Sequence, residues 1–303
     1  MVVLLVVAIL CLVAGSMAAV ALHAAPRADP ALSATKAIGE ELGRRRSLRR
    51  FLDSRFERGV ATGLALTLAL GATIAAGILI GVLIYMVRSQ TGLVQVDRAV
   101  ERWSDPRMTQ ISIAVLRTVT AFGATVTVIV LGLVTAGYAM WRWRSRAIPL
   151  FLLIVIGGQL LLADLIKGAV QRTRPDLRPL AHFTGPSFPS GHTTAAAATF
   201  AAIAIVLGRD GSPGRRMLLA GVAVALAVAV GCSRVFLGVH WVTDAIGGLA
   251  LGWTWVALVA IAFGGRVMRF AAPVKAAVAP EPSRFGGEVT RAEVGPPQRE
   301  EIQ

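Results

Sequence analysis

The sequence of 303 residues is poor in cysteine, in aromatic residues and in acidic residues. Its two cysteines, Cys11 and Cys232, lie in or beside apolar runs, so the sequence predicts neither a disulfide framework nor a cysteine-based metal site. Aromatic residues make up 6% of the chain, which suits packed membrane helices better than a surface that stacks bases. The nucleotide-binding pattern GxxxxGK[ST] is also absent, which argues against an ATP-driven transporter.

Long apolar runs dominate the sequence. Hydrophobic residues make up 55% of the chain and the mean hydropathy is +0.67, more apolar surface than a water-soluble fold can bury. A helix that crosses a membrane needs about 20 consecutive apolar residues. Seven runs approach or exceed this length: 2–22, 59–87, 118–140, 147–166, 191–207, 217–232 and 244–263. The pattern therefore predicts an all-α, polytopic bundle of membrane helices.

The charges are distributed unevenly between the loops. A net charge of +14, from 31 basic and 17 acidic residues, would suggest nucleic acid as the partner of a soluble protein, whereas in a membrane protein it marks cytoplasmic loops. The loops 27–58, 141–146, 208–216 and the tail from 264 hold 21 of the 31 basic residues, and 88–117, 167–190 and 233–243 hold the other 10. We therefore expect the first set, with the C-terminus, in the cytoplasm and the second set on the periplasmic or exterior side of the cell membrane. No nucleic-acid partner is expected.

Residues 1–26 have two interpretations. They could form a cleaved signal peptide, since small residues follow the apolar run, but the basic n-region of such peptides is missing. Cleavage would also place the arginine-rich segment 27–58 outside, against the charge rule. We favour an uncleaved transmembrane helix followed by a basic cytoplasmic connector over 27–58, either a plain linker or partly an interfacial helix from Arg44 to Arg58. Residues 264–303, rich in Pro, Gly, Glu and Arg, predict a disordered tail.

Three polar clusters interrupt the apolar pattern, all on the same predicted side. KGAVQRTRP begins where the fourth span ends, FPSGHT leads into the fifth span, and SRVFLGVHWVTD joins the sixth span to the seventh. Ionisable groups at a membrane boundary are costly unless they are paired or face a polar cavity. Each cluster alone has an ordinary explanation: interfacial lysine and arginine, a serine N-cap, or a boundary histidine. Their coincidence on one side favours a functional site.

The chemistry of these clusters suits a phosphoryl group. Fixed positive charge comes from Lys167, Arg174 and Arg234. Ser190, followed by Gly191 at a helix start, offers a hydroxyl and free backbone N–H groups. An anion with several oxygens needs this combination of charge and donors, above all while its charge is being transferred.

The same clusters contain a candidate nucleophile. His240 and Asp244 are four residues apart, so on a helix they would share a face. The carboxylate would hold one imidazole nitrogen protonated and leave the other free to attack. His192, at the start of another helix, is placed to donate a proton to a departing alkoxide.

KGAVQRTRP, PSGH and SRVFLGVHWVTD resemble the three signature motifs of the type 2 phosphatidic acid phosphatase (PAP2) superfamily: KxxxxxxRP, PSGH and SRxxxxxHxxxD. Every spacing within the motifs agrees. The resemblance covers about 59–263 and implies a six-helix core, to which residues 1–26 add one N-terminal transmembrane helix. It leaves the connector and the tail unexplained.

The resemblance also implies a role for each motif residue. His240 would attack phosphorus to form a phosphohistidine, Asp244 would orient it, and His192 would act as general acid and then as base towards water. The family needs no metal or other cofactor, and the sequence shows no carboxylate cluster of the kind that Mg²⁺ prefers. The phosphate-binding residues would be Lys167, Arg174, Ser190, the Gly191 backbone and Arg234.

The implied function is hydrolysis of a lipid phosphate or diphosphate at the outer leaflet. Undecaprenyl diphosphate, phosphatidic acid and phosphatidylglycerol phosphate are candidate substrates, and the motifs do not choose among them. Vanadium-dependent haloperoxidases share the motifs, but seven spans argue against that activity. A non-catalytic lipid binder or transporter is the other alternative, although binding alone needs no oriented nucleophile. The oligomeric state is not encoded in any of these features.

Four further polar residues lie near the motifs. His182, Arg172 and Arg178 belong to the same outer loop, and we interpret them as solvated loop residues rather than headgroup contacts. Asp164 lies one helical turn before Lys167 and is placed to pair with it.

Overall fold

All regular secondary structure in the described residues is helical. A computed structural model describes residues 1–24, 60–175 and 179–263. A short 3₁₀ turn, Asp105–Arg107, follows the third helix. The α-helices are α1 (Val2–Ala24), α2 (Val60–Ser89), α3 (Val94–Ser104), α4 (Gln110–Ala121), α5 (Thr125–Trp143), α6 (Ala147–Val170), α7 (Gly191–Gly208), α8 (Pro213–Phe236) and α9 (Val242–Phe263).

The predicted helical membrane bundle is confirmed. Helices α5 to α9 are each long and apolar enough to cross a membrane, and the bent pair Ile74–Ser89 and Val94–Arg107 adds a sixth span if its two arms, 73° apart, count as one. In α1, Val2–Ala18 qualifies only as a shorter apolar helix. The connector 27–58 and the tail 264–303 lie outside the described residues, so their assignments stay predictions.

The predicted N-terminal boundary of the third span was wrong. A single run over 118–140 was predicted, but the chain turns at Phe122–Ala124 and divides it between α4 and α5. Gly123 lets this turn pack closely against the start of α7, because a Cβ there would lie 2.6 Å from the backbone oxygen of His192. The predicted loop 88–117 also contains α3 and most of α4, neither of which has the apolar length of a span.

Helix α7 is the centre of the bundle and packs against α5, α6, α8 and α9. Every residue from Thr193 to Phe200 is buried. Two glycines four residues apart, Gly248 and Gly252, let α9 approach α7 closely. A Cβ on Gly252 would lie 2.6 Å from the backbone oxygen of Thr194, so no larger residue fits without moving a helix. This close packing places the start of α7 beside the start of α9.

Replacing Gly252 with Ala should therefore destabilise the bundle. Overpacking of this kind costs about 1–3 kcal/mol. Gly157→Ala is the matched control, because a Cβ on that helical glycine meets nothing within 4 Å. The control should be neutral or slightly stabilising, since Ala is the better helix former. Thermal unfolding in detergent measures both, and equal melting temperatures for the two variants would contradict the tight α7–α9 contact.

The segments that carry the three motifs meet at one end of the bundle, as their common predicted side requires. The Ser190 N–H donates to the Asp244 backbone oxygen at 3.1 Å. The Leu180 N–H donates to the Leu237 carbonyl at 2.9 Å, which joins the second loop to the third. Val3 of α1 packs in the same cluster as Leu237, so the first turn of α1 lies at this end too.

Candidate active site

His240 and Asp244 form a pair, though not on one helix as the spacing suggested. Gly238, at φ +69°, helps to end α8, and His240 lies in the segment between α8 and α9. Asp244 lies in the first turn of α9, where its Oδ2 accepts the Trp241 N–H at 2.9 Å. The same Oδ2 lies 3.4 Å from His240 Nδ1. One carboxylate oxygen of Asp244 therefore both closes a turn at the start of α9 and faces the imidazole of His240.

The hydrogen bonds define the imidazole tautomer of His240. Its Nε2 lies 3.2 Å from Nη1 of Arg174, and a guanidinium only donates, so Nε2 must present its lone pair. The ring proton therefore lies on Nδ1, towards Asp244. His240 is 4% exposed, and burial lowers the pKa of its imidazole to about 4, although the Asp244 carboxylate opposes the shift. The ring is neutral at physiological pH, as a nucleophile requires.

Arg174 is held by the protein at every donor. Its Nη1 reaches Val239 O and His240 Nε2, while its Nε and Nη2 reach three carbonyl groups of the loop 182–186, which we call the Arg174 loop. Phe183 of this loop lies over the guanidinium, 4.6 Å from ring centroid to Cζ. A phosphate oxygen could bind Arg174 only by taking the place of one of these acceptors. The three loop carbonyls belong to Thr184, Gly185 and Pro186.

The start of α7 presents the second motif. Ser190 occupies the N-cap position, but its side chain makes no capping hydrogen bond, so capping does not account for the hydroxyl. Instead its Oγ accepts from Thr193 Oγ1 at 2.8 Å, which leaves the serine proton available. Gly191 gives room to Lys167, because a Cβ at this position would lie 3.2 Å from the Lys167 ammonium. A cation, a hydroxyl and the helix N-terminus therefore adjoin one another.

A cavity of about 480 Å³ opens beside this helix start, and we call it the Arg234 cavity. Arg234 is 3% exposed, and its Nη atoms reach Thr120 Oγ1 at 3.3 Å and His182 O at 3.4 Å. Its Nε is buried without a hydrogen-bond partner. A buried donor that lacks an acceptor suits an anion that is not part of the chain. The lining residues are Arg117, Thr120, Pro179, Leu180, Ala181, His182, His192 and Arg234.

The structure brings the residues predicted from the three motifs to one site. His192 is the common point, since it lines the Arg234 cavity and lies near enough to Lys167, Arg174 and Arg234 to interact with their charges. His240 itself does not line this cavity; its Nε2 contacts Arg174 Nη1. Lys167 also pairs with Asp164 at 3.4 Å, but Asp164 is 75% exposed, so this pair contributes little.

Two buried residues of the site were missed from the sequence. Arg172 was interpreted as a solvated loop residue, but its side chain is 5% exposed and bonds to Asp244 Oδ1 at 2.5 Å. Asp97 of α3 is buried and bonds to the same guanidinium at 2.8 Å. Its position on the buried face of α3, with Val94 and Ser104, is a signal that a helix assignment for 94–104 would have shown. His182 lines the Arg234 cavity, and Arg178 lies outside the described residues.

The comparisons with known proteins agree with this geometry. The family model of the PAP2 superfamily matches residues 147–268. Phosphatidylglycerophosphatase B of Bacillus subtilis (strain 168) is 42% identical over 125 residues, 40% of this chain and 60% of that protein. Lipid A 1-phosphatase of Rhizobium johnstonii is 39% identical over 124 residues, 38% of this chain and 46% of that protein. These aligned segments span about half the length of the curated relatives.

A solved structure covers more of the fold. The crystal structure of a transmembrane PAP2-type phosphatidylglycerolphosphate phosphatase from Bacillus subtilis aligns with a TM-score of 0.60 and 30% identity, over 65% of this chain and 98% of that one. Fold and site together define a polytopic helical membrane protein with a cationic, histidine-containing site at one end of its helices. The chain belongs to the PAP2 superfamily.

Proposed function

We propose that this protein is an integral membrane phosphatase that hydrolyses the phosphomonoester or diphosphate of a lipid through a phosphohistidine intermediate. The observation that carries the proposal is the tautomer of His240: its Nε2 lone pair points to a guanidinium and its Nδ1 to the Asp244 carboxylate. An imidazole held in this way is prepared for attack on phosphorus. The named phosphatases among the relatives support the same class of reaction.

In the first step the lone pair of His240 Nε2 attacks phosphorus and the bond from phosphorus to the lipid oxygen breaks. His192 donates a proton to that oxygen, so the lipid leaves as an alcohol or, from a diphosphate, as a monophosphate. The imidazolium that forms at His240 is stabilised by Asp244. The phosphoryl oxygens bind the cations and the helix start. Arg234 Nε and the Ser190 hydroxyl are among the donors that can reach them without losing a protein bond.

In the second step water attacks the phosphohistidine. His192, now neutral, accepts a proton from the water, and the bond from phosphorus to Nε2 breaks. Inorganic phosphate leaves, and both histidines return to their starting states. Lys167, Arg174 and Arg234 supply the positive charge at every stage, so the scheme needs no metal ion. No group of His, Cys, Asp and Glu that could hold a metal occurs among residues 1–24, 60–175 and 179–263.

The Arg234 cavity is the proposed place of the headgroup. Its lining includes two arginines and two histidines and no carboxylate. A lipid is the favoured substrate because the site lies at the end of membrane helices, where an acyl or prenyl chain stays in the bilayer while the headgroup enters. Undecaprenyl diphosphate, phosphatidic acid and phosphatidylglycerol phosphate are the substrates that we propose for testing.

Phosphate release from these three lipids in detergent tests the proposal. We expect turnover of at least one lipid, unchanged by EDTA. Release that EDTA stops and Mg²⁺ restores would contradict the metal-free scheme. No release from any lipid phosphate or diphosphate would contradict the function. Bromide oxidation by peroxide in the presence of vanadate would instead favour haloperoxidase chemistry.

We further propose that the site faces the periplasm or the cell exterior, as the distribution of basic residues indicates. Thr184 is an exposed residue of the Arg174 loop, and its side chain makes none of the loop's contacts to Arg174. A Thr184→Cys variant without Cys11 and Cys232 should react with a membrane-impermeant maleimide added to intact cells. Labelling only after lysis would reverse the orientation. The same background without the added cysteine is the control.

A further inference from the structure

Two acidic side chains share one buried guanidinium at the site. Arg172 Nη1 donates to Asp244 Oδ1 at 2.5 Å, and its Nη2 donates to Asp97 Oδ2 at 2.8 Å. All three side chains are at most 5% exposed. Buried ions at this depth persist only when they are paired and fully hydrogen-bonded, so this network has a defined geometry.

Asp97 fixes Arg172 and the start of α9 at the same time. Its Oδ1 accepts the Thr243 N–H at 2.9 Å and its Oδ2 accepts the Thr243 hydroxyl at 2.6 Å. The Thr243 hydroxyl in turn accepts from Arg172 Nη1 at 2.7 Å. Asp97 lies on α3, far from Asp244 in the sequence, and it is attached to the first turn of α9 from outside that helix.

Arg172 determines the orientation of the Asp244 carboxylate. Oδ1 is taken up by Arg172, so Oδ2 is the oxygen that faces Trp241 N at 2.9 Å and His240 Nδ1 at 3.4 Å. Without the guanidinium the carboxylate could rotate, and its buried charge would lose its cation. The proton of His240 Nδ1 would then lose its acceptor, and only the Arg174 contact at Nε2 would still favour this tautomer.

The geometry points to Arg172 and Asp97 as a positioning pair: Asp97 holds Arg172, Arg172 fixes Asp244, and the nucleophilic nitrogen of His240 so stays unprotonated. Neither residue contacts the phosphate in this arrangement, because the Arg172 guanidinium bonds to Asp97, Thr243 and Asp244. The inference deepens the proposed function and rests on it. The two residues extend the site from the motif segments to helix α3.

The planar fork of arginine is needed for this role. One Nη serves each carboxylate, so a lysine ammonium cannot hold both in the same plane. Arg172→Lys should keep the charge but lose part of the orientation, whereas Arg172→Gln should lose both. The order of activities expected is wild type, then Arg172→Lys, then Arg172→Gln.

Steady-state phosphate release by the full chain in detergent tests the pair, with the lipid phosphate that the wild type hydrolyses fastest. Arg172→Gln should lower kcat by about 100-fold with KM changed less than about threefold, since misplacement of a reacting group by about 1 Å has this scale of effect. Asp97→Asn should lower kcat in the same direction. Arg98→Gln is the control, because Arg98 is exposed, lies next to Asp97 in the sequence and donates from its side chain to Gln90 Oε1; its kcat should stay at the wild-type value.

A double-mutant cycle separates positioning from general stability. If Arg172 acts through Asp244, Arg172→Gln should cause no further loss of kcat in an Asp244→Asn background. Multiplicative losses in the double variant, or a wild-type kcat in Arg172→Gln and Arg172→Lys, would overturn the inference while leaving the phosphatase function standing. Absence of turnover by the wild type would count against the proposed function.

Nitrogen NMR of the histidine-labelled protein is independent of turnover. The His240 signal, assigned by its loss in His240→Gln, should show the Nδ1-protonated tautomer in the wild type and a mixture of tautomers in Arg172→Gln and Asp97→Asn. An unchanged tautomer in folded Arg172→Gln would overturn the inference even if no substrate had been found.

Discussion

His240→Gln should abolish phosphate release from every lipid substrate. Glutamine has similar length and can fill the same space, but its amide nitrogen carries no lone pair for attack on phosphorus. Loss of a covalent nucleophile costs at least about 10³-fold in kcat, or roughly 4 kcal/mol in barrier height. Acid-quenched wild-type protein should carry the phosphoryl group on histidine, and the variant should carry none. Turnover within tenfold of the wild type would exclude His240 as the nucleophile.

The pH dependence of thermal stability tests whether His240 is buried as a neutral ring in the folded protein. Because burial holds the pKa of His240 near 4, below the ordinary value near 6.5, the unfolded state takes up a proton between these values and the folded state does not. The wild type should therefore lose stability as the pH falls from 6.5 towards 4, on the order of 2 kcal/mol at pH 5 from this residue. His240→Gln lacks this contribution, so its melting temperature should fall less steeply over the same range. Parallel curves would mean that His240 is not buried as a neutral ring.

Asp244→Asn should lower kcat by about 10³-fold with little change in the bundle. The amide has the shape of the carboxylate, but its NH₂ group can donate to His240 Nδ1 and so favours the tautomer with the proton on Nε2. A protonated Nε2 cannot attack and would face the guanidinium of Arg174, a donor facing a donor. The amide also removes the charge that stabilises the imidazolium in the first step.

Asp210→Asn is the matched control for this prediction. Asp210 is an exposed aspartate, and its Oδ2 accepts from Trp143 Nε1 at 2.6 Å, away from the motif segments. Its kcat should stay within about twofold of the wild type, because surface substitutions have small effects. Equal losses in the two variants would indicate a general sensitivity to charge. A normal kcat in Asp244→Asn would remove Asp244 from the mechanism.

The helices that are visible in the sequence are those with long apolar runs. Val242–Phe263 and Gly191–Gly208 were predicted within two residues at each end, because membrane burial requires a continuous apolar stretch. Helices α3 and α4 are short and lie at the site end, where polar residues are tolerated, so hydropathy gave no signal for them. The break at Gly123 was missed for a different reason: the residues on both sides of it are apolar, so the hydropathy pattern continues through the turn.

The structure brings the motif residues together at one end of the bundle, but their individual contacts were not predicted. Spacing alone placed His240 and Asp244 on one helix, whereas the chain reaches the same pairing through a turn before α9. Arg172 and Arg174 differ by two positions and look alike in the sequence, yet one is fixed between two carboxylates and the other among backbone carbonyls. The partner of each arginine depends on long-range contacts, which a single sequence does not contain.

Arg174 has as many acceptors in the protein as it has N–H groups. A phosphate that binds this guanidinium must displace the His240 nitrogen, the Val239 carbonyl or a carbonyl of residues 182–186. Where it displaces a carbonyl of 182–186, ligand binding and the order of this loop are thermodynamically linked. If the phosphate displaces the His240 nitrogen, the lone pair is freed at the moment the substrate arrives. In the proposed mechanism, the Arg174 hydrogen bond thus covers the attacking nitrogen until a substrate takes its place.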